Sequence, residues 1–494
     1  MQDLLGKVNG YAGSISQALR AASPRELLIY GALAVPVLLI IVSLLWSSSK
    51  SNFKQLSFLE SILFLKDGQI SPAWGDAAWC RALGLNILTI LGVEKSKWIF
   101  KGEGKYVRAH WPTHLLGLMG ENCVAAIIGD THKKLRNLLI KAFTPAKLTS
   151  MYPLFKQQTE DFVETLSQET LKNTTGAFPN LPLRHFTYRI ISTLLVGSNA
   201  GDLEKLMKVL PEFAVMIAGY EVWIPYNLPF TPFGKAMAAK KRLIVLMQEI
   251  IDNRRQRLAS GEAESLGEDA LGVLIGGKDE DGKVLSDDIL IDNMLFFLLA
   301  GHDTTASSIC SILHFYCDVA TAEQKAKLQE EVDSVGADPS YSTLMGLPYL
   351  DGFIKESMRL LPAAVGNLRS TTEDVIVPNS KGQQVEIKKG SWMIFIAKAI
   401  GQNPAIFPEP QRFDPERFIG DNPVDRQHPF AYVVFGGGNR LCIGMLLAKL
   451  EMKLFVHQTL FNYTVERKTK ELKKGFIPLT FKEPRVVIRP KTTA

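Results

Sequence analysis

The segment FGGGNRLCIG, residues 435–444, constrains the fold of this chain more than any other stretch. Its successive glycines allow left-handed backbone turns and a close approach to a flat ligand. Arg440 lies two residues before Cys442, and the helix-forming run MLLAKLEMKLF begins at Met445. We therefore expect Cys442 to lie near a helix amino terminus, where backbone N–H groups stabilise a thiolate. Such a thiolate can act as a nucleophile or as a metal ligand.

The remaining cysteines show no pairing pattern. The chain has five cysteines, which are scattered and include no CxxC pair. An odd, scattered set argues against a disulfide framework and against a structural zinc site. We interpret four of them as small buried hydrophobic residues: Cys80, Cys123, Cys310 and Cys317.

Composition limits the partners that the protein can have. The 494 residues are 46% hydrophobic, enough for a large core, and the formal net charge is +6. No Lys/Arg tract is dense enough to indicate nucleic-acid binding. The mild basic excess fits an anionic membrane surface or an acidic protein partner.

The amino-terminal region predicts a membrane anchor. Residues 27–46, LLIYGALAVPVLLIIVSLLW, carry no charge and match the thickness of a bilayer's hydrocarbon core when helical. The apolar run is too long for a cleaved signal peptide, so we expect an uncleaved single-pass helix. The chain then divides into a tail (1–26), the anchor (27–46), a linker (47–70) and a globular domain (71–494). The usual Pro/Gly-rich hinge after such an anchor is missing.

Helical periodicity dominates the globular domain, and strand-like segments are few, so the fold class is mainly α with small β-sheets. One long helix is predicted from Ser286 to Asp318, apolar almost all round and hence buried. The polar motif AGHDTT, residues 300–305, interrupts its middle. Because polar groups in a buried helix are unfavourable, we expect this motif to face a functional site.

The cysteine loop resembles the haem-binding signature FxxGxRxCxG of the cytochrome P450 superfamily, through Phe435, Gly438, Arg440, Cys442 and Gly444. The resemblance extends from about residue 82 to the carboxyl terminus, because three further motifs occur in family order. It implies the cytochrome P450 fold, with haem b as cofactor and the Cys442 thiolate as the ligand of the haem iron.

The AGHDTT motif is similar to the family's distal-helix motif, in which an acid and an alcohol deliver protons to oxygen. The resemblance assigns that pair to Asp303 and Thr304. A proton relay needs a titratable group and a hydroxyl beside the reacting oxygen. Ala300 is expected to border the substrate, and Gly301 to leave room for oxygen or substrate.

Two further motifs imply supporting roles. In ESMR, the charges of Glu356 and Arg359 are three residues apart on a helix, and the resemblance adds Arg417 of PERF as the third member of a buried structural network.

The motif GDTHKKLRNLL places His132 and Arg136 one helical turn apart. The resemblance implies that both bind haem propionates, together with Arg369 and Arg440. Charge-assisted hydrogen bonds of this kind are stronger than neutral ones.

The resemblance implies a membrane-anchored haem-thiolate monooxygenase that inserts one atom of O2 into a hydrophobic small molecule. Electrons would come from NADPH through a cytochrome P450 reductase or a ferredoxin-type donor, because the chain has no flavin, nicotinamide or iron–sulfur motif. The segment KYVRAHWPTHLLGLMGENCV looks like the branch that oxidises sterols, triterpenoids, retinoids and related isoprenoids.

The expected location is the endoplasmic reticulum membrane, with the catalytic domain in the cytosol. A plastid membrane is the alternative, because the leader contains Ala and Ser and is poor in acidic residues. Two other functions remain open: a haem-thiolate isomerase or dehydratase that rearranges a peroxide without a reductase, and a haem carrier or sensor.

Overall fold

A computed structural model gives the structure of the protein. It describes residues 54–55, 75–82, 85–173, 175–197, 199–222, 225–261, 269–278, 282–475 and 481–491. The predicted membrane anchor lies outside these residues, as do the tail before it and most of the predicted linker. Within the described ranges, every helix is too short or too polar to cross a bilayer.

Helices form most of the described chain, which confirms the predicted mainly helical class. Their bounds, in chain order, are α1 Val93–Gly102, α2 Thr113–Met119, α3 Gly129–Leu139, α4 Pro145–Lys172, α5 Asn180–Val196, α6 Ala200–Lys208, α7 Leu210–Ala218, α8 Pro232–Ser260, α9 Ala270–Ile275, α10 Asp287–His314, α11 Ala322–Ser334, α12 Tyr341–Gly346, α13 Pro348–Leu360, α14 Ala397–Ile400, α15 Val424–Gln427 and α16 Met445–Asn462. Short 3₁₀ turns lie at Ile140–Phe143, Gly219–Glu221, Pro415–Phe418 and Gly438–Arg440.

The strands form small sheets, as predicted. Their bounds are β1 Lys54–Gln55, β2 Ala77–Ala82, β3 Leu85–Ile90, β4 Val107–Ala109, β5 Leu368–Thr371, β6 Val375–Pro378, β7 Gln384–Ile387, β8 Trp392–Phe395, β9 Tyr463–Lys474 and β10 Lys482–Pro490. The largest sheet has the order β1-β2-β3-β8-β5-β4, and β6–β7 and β9–β10 form antiparallel pairs. Strand β1 lies within the segment predicted to be a linker and pairs in parallel with β2.

Helix α10 lies in the centre of the helical core. It packs against α5, α13 and α16, with buried side chains such as Leu298, Ile309 and Leu313. A π turn, Phe315–Val319, continues the helix, so the long buried helix predicted for residues 286–318 is confirmed. The AGHDTT motif does not interrupt it, because α10 remains helical through all six residues.

A second core lies against the largest sheet. Leu88 and Ile90 of β3 pack with Phe395 of β8, and the Phe100 ring of α1 contacts the Phe395 ring edge-on at 5.0 Å between centroids. This core positions the carboxyl end of α1, on which the cysteine loop rests.

Candidate active site

The backbone of the cysteine loop requires its glycines. Gly436 and Gly438 have φ angles of 77° and 62°, in the left-handed region that favours glycine. A Cβ atom on Gly438 would also lie 2.7 Å from the carbonyl oxygen of Phe100, too close for any side chain. The N–H of Cys442 donates to the carbonyl of Phe435 at 2.9 Å and closes the loop. The loop is therefore a fixed support that presents Cys442 just before α16.

The Cys442 side chain is solvent-accessible, yet burial among protein atoms is the largest influence on its pKa. The accessibility of the Cys442 side chain and the strong effect of burial on its pKa are compatible if its accessible surface faces the interior of the protein rather than bulk solvent. Burial raises the pKa of Cys442, and the Gly444 N–H and the Arg136 guanidinium lower it by less. Desolvation thus opposes the stabilisation of a thiolate that the loop's N–H groups and Arg136 provide. A bound metal cation would favour the thiolate, because a coordinating thiol gives up its proton.

One face of α10 is accessible in the middle of an otherwise buried helix. Ala300 is exposed, and Phe296 and Thr304 are partly exposed. Residues four apart lie on the same side of a helix, so the three form one surface, the accessible face of α10. The Thr304 hydroxyl donates to the Ala300 carbonyl at 2.8 Å. This face presents one hydroxyl on an apolar wall.

Gly301 has a packing reason to be glycine. A Cβ atom there would lie 2.6 Å from Cγ1 of Ile191 on α5. The glycine therefore allows α10 and α5 to pack closely. Its expected role of leaving room for oxygen or substrate stays a prediction.

Asp303 does not lie with Thr304 on the accessible face. Its carboxylate is buried, with Oδ1 2.9 Å from Nε of Arg184 and 3.3 Å from Nε2 of His302. Adjacent residues on a helix point about 100° apart, so Asp303 points toward Arg184 of α5 while Thr304 lies on the accessible face of α10. Arg184 was missed at the sequence level, because that arginine lies on a different helix, far from Asp303 along the chain.

Basic side chains converge beside the cysteine loop. His132 and Arg136 come from α3, Arg369 from β5 and Arg440 from the loop itself. Burial, together with the charges of Arg440, Arg136 and Arg369, lowers the pKa of His132 to about 4, so the imidazole is neutral near pH 7. Arg136 Nη2 donates to the carbonyl of Leu441 at 2.5 Å, next to Cys442. The structure thus brings together residues that the sequence separates by about 300 positions.

Sequence reasoning missed Glu103, which follows α1 and lies within this basic cluster. Its Oε1 is 3.1 Å from Nε of Arg440, and its Oε2 is 2.9 Å from Nε of Arg369. Among the described residues, Glu103 is the carboxylate that pairs with Arg369 and Arg440, and the charged groups that influence Arg136 are Cys442 and Arg440. Two positive charges of the cluster therefore lack a balancing carboxylate within the described part of the chain.

The structure also brings the three members of the expected buried network together. Nε and Nη2 of Arg359 donate to the two Glu356 oxygens at 2.6 and 2.8 Å, and both side chains are fully buried. Arg417 Nε lies 3.4 Å from Glu356 Oε1, which also accepts from the Asp414 N–H at 2.9 Å. Arg359 Nη1 donates to the Gly401 carbonyl at 2.6 Å. The network ties α13 to the segment that precedes the cysteine loop.

The cytochrome P450 family model matches residues 52–491. The chain belongs to the cytochrome P450 family. It is therefore an oxidoreductase of the monooxygenase type, which incorporates oxygen from O2.

Named relatives of this cytochrome P450 come from bacteria and plants. It is 30% identical to putative cytochrome P450 120 of Synechocystis, over 82% of this chain and 88% of that protein. A beta-amyrin 28-monooxygenase of Saponaria officinalis is 28% identical over 78% of this chain and 76% of its own. The solved structure of retinoic-acid-bound cyanobacterial CYP120A1 superposes with a TM-score of 0.77 at 27% identity, covering 90% of this chain and all of that one.

The residues beside Cys442 fit the haem that this family binds. Haem b carries two propionates, and the basic cluster has two positive charges beyond the single charge that Glu103 balances. A Cβ atom on Gly444 would meet only Phe143, at an ordinary 3.9 Å, so protein packing alone does not require this glycine. The charge of the site and the open surface at Cys442 are both what a haem with a thiolate ligand needs.

Proposed function

We propose that this cytochrome P450 is a membrane-anchored monooxygenase that inserts one oxygen atom into a hydrophobic isoprenoid, such as a sterol, triterpenoid or retinoid. The observation that carries the proposal is the accessible face of α10, where Phe296 and Ala300 form an apolar wall beside the Thr304 hydroxyl. An apolar wall binds a hydrophobic molecule by burying its surface, and a single hydroxyl allows proton chemistry at one point.

The cofactor assignments follow from the same site. Cys442 would hold the iron of haem b, with His132, Arg136, Arg369 and Arg440 around the propionates. Haem supplies the activation of O2, and NADPH supplies two electrons through a separate cytochrome P450 reductase or a ferredoxin-type donor. The neutral imidazole of His132 can donate one N–H to a propionate without adding a charge to the cluster.

The relatives support the isoprenoid class. Their names include beta-amyrin 28-monooxygenase, ent-kaurenoic acid oxidase and abscisic acid 8'-hydroxylase, and the bacterial structure holds retinoic acid. A screen of sterols, triterpenoids, diterpenoids and retinoids, with fatty acids as the comparison class and product mass spectrometry as the readout, tests this class. The proposal requires a product 16 mass units heavier from at least one of them. Turnover of fatty acids alone would overturn it.

Membrane association is proposed from the apolar run at residues 27–46 and from an exposed loop before α8. In that loop, Tyr226, Leu228 and Phe230 are exposed large hydrophobic residues. Such a patch fits contact with lipid.

Flotation with phospholipid vesicles tests membrane association: the full chain should float, and a chain starting at residue 47 should float less. Equal flotation of the two chains would contradict the proposal that residues 27–46 anchor the protein in the membrane.

We expect the electron donor to dock on the face that carries the cysteine loop, beside which α3 lies. Lys133, Lys134 and Lys141 are exposed there, and Lys133 also pairs with Asp130 at 2.7 Å. Changing all three lysines to Gln should slow reduction by the donor by roughly tenfold at low salt, because electrostatic steering is lost. Haem content should not change. Lys208→Gln on α6, also exposed, is the matched control, and an equal rate in the triple variant and this control would eliminate the docking face.

Thr304 is expected to control proton delivery rather than substrate binding. Thr304→Ala should keep substrate affinity and NADPH use, yet lower product per NADPH by about tenfold or more and release hydrogen peroxide instead. Thr304→Ser keeps the hydroxyl and should restore most coupling. Asp303→Asn should slow turnover, because an amide cannot transfer a proton as a carboxylate can. Full coupling in Thr304→Ala would instead make Thr304 a helix-bending residue, whose hydroxyl donates to the Ala300 carbonyl within α10.

A further inference from the structure

Glu103 holds two arginines of the basic cluster at once. Its Oε1 is 3.1 Å from Arg440 Nε and also accepts the N–H of Ala109 at 3.2 Å. Its Oε2 is 2.9 Å from Arg369 Nε. The three charged side chains come from three separate parts of the fold: the end of α1, strand β5 and the cysteine loop. The Glu103 carboxylate therefore links the cysteine loop to the end of α1 and to strand β5.

The ion pairs of Glu103 with Arg369 and Arg440 are important because all three side chains are buried. The side chains of Glu103, Arg369 and Arg440 are only 8%, 6% and 9% exposed. A charge taken out of water is strongly destabilising unless an opposite charge and hydrogen bonds compensate it. The Glu103 carboxylate therefore compensates part of the cost of burying these two arginines side by side.

The remaining donors of Arg440 are directed at the backbone. Nη1 donates to the carbonyls of Val124 and Ala125 at 3.1 and 3.4 Å, and Nη2 donates to that of Ile127 at 2.7 Å. Arg440 thus fixes the segment that leads into α3. With Nε on Glu103, each of its three nitrogen atoms has a protein acceptor, so its orientation is set before any ligand arrives.

We propose that Glu103 is a positioning residue of the haem site, whose carboxylate fixes Arg369 and Arg440 and whose negative charge sets the electrostatic balance of the basic cluster. The inference rests on the proposed haem site at Cys442. Two properties follow that can be separated: the charge of Glu103 affects the energy of the iron's redox states, and its shape affects how firmly the arginines hold the propionates.

Glu103→Gln tests the charge. The amide keeps the size and one acceptor oxygen for Arg440 and the Ala109 N–H, but it removes one negative charge and places an NH2 group beside Arg369. Reduction adds one electron to ferric haem, supplied in a dithionite titration, and a more positive surrounding stabilises the ferrous product. The midpoint potential of the purified holoprotein should shift to a more positive value. Glu94→Gln is the matched control, because Glu94 lies on α1, the helix that Glu103 directly follows, with its side chain 77% exposed, and the midpoint potential of this variant should not move.

Glu103→Ala tests whether the carboxylate holds Arg369 and Arg440 in position. Losing the carboxylate releases Arg369 and Arg440, so transfer of haem from the holoprotein to excess apomyoglobin should be faster by roughly 10- to 100-fold. Glu103→Gln should lose haem at a rate closer to wild type. Circular dichroism of both variants checks that the fold is intact, and Glu103→Asp, one methylene shorter, gives a second position variant if the alanine protein does not accumulate.

The inference fails if Glu103→Gln keeps the wild-type midpoint potential, or if Glu103→Ala and Glu103→Asp both lose haem at the wild-type rate. These outcomes differ from failure of the proposed haem site. In that case the wild-type protein itself would lack the red-shifted carbonyl absorption that depends on Cys442.

Discussion

Cys442→Ser is expected to remove the red-shifted carbonyl absorption of the reduced protein and to abolish monooxygenase activity. A serine hydroxyl does not ionise near neutral pH, so it cannot replace a thiolate as the iron ligand. Carbonyl difference spectra of the dithionite-reduced proteins measure this directly.

The other cysteines supply the controls for this experiment. Cys317 is partly buried, with its pKa raised to about 12 by burial, and Cys317→Ala should keep the full absorption band. If Cys442→Ala keeps the band while a variant of Cys80, Cys123, Cys310 or Cys317 loses it, the ligand assignment is wrong.

Glu356→Gln is expected to destabilise the protein by about 3–5 kcal/mol, because it leaves Arg359 buried and unpaired. Arg359 is fully buried and donates two short hydrogen bonds to the Glu356 carboxylate, so no water can replace the lost charge. Chemical denaturation followed by tryptophan fluorescence measures the change, and the yield of haem-containing protein should fall with it.

Glu409→Gln is the matched control for the buried network. Glu409 pairs with Arg412 at 2.9 Å in the same region, but its side chain is 70% exposed. Exposed ion pairs contribute about 0–1 kcal/mol to the free energy of unfolding, so this variant should have nearly the wild-type free energy of unfolding. Equal unfolding free energies for Glu356→Gln and Glu409→Gln would mean that the network does not support the fold.

Short-range patterns in the sequence were sufficient to predict the long helix and the cysteine loop. The apolar run at residues 286–318 predicted one long helix, which the structure shows as α10 followed by a π turn, because a buried helix has a strong and local signal. The glycines before Cys442 predicted turns because left-handed angles favour glycine, and Gly436 and Gly438 adopt them.

Strands held by tertiary pairing were harder to predict. Strand β9, YTVERKTKELKK, has charged residues along most of its length and no apolar alternation. It is a strand because β10 pairs with it from Tyr463 to Lys474, and that pairing is long-range. Strand β2 was also missed, because its short run AAWCRA is equally compatible with a helix.

The candidate site was predictable where motifs lie together and unpredictable where distant side chains meet. Glu103 lies in the sequence KGEGK, which is typical of an exposed turn, and its partner Arg440 is 337 residues away. Asp303 is adjacent to Thr304 in sequence, yet its partner is Arg184 on α5. Residues that are adjacent on a helix point in different directions, so only the folded structure shows which charged group each side chain contacts.

Product analysis under ¹⁸O2 is the most direct test of the monooxygenase reaction. With NADPH, a reductase and an isoprenoid substrate, one oxygen atom should enter the product and the other should leave as water, with one NADPH consumed per product. The account predicts a product that is 18 mass units heavier than the substrate. An isomerase or dehydratase would rearrange a peroxide without NADPH and without label, and a product of that kind would contradict the account.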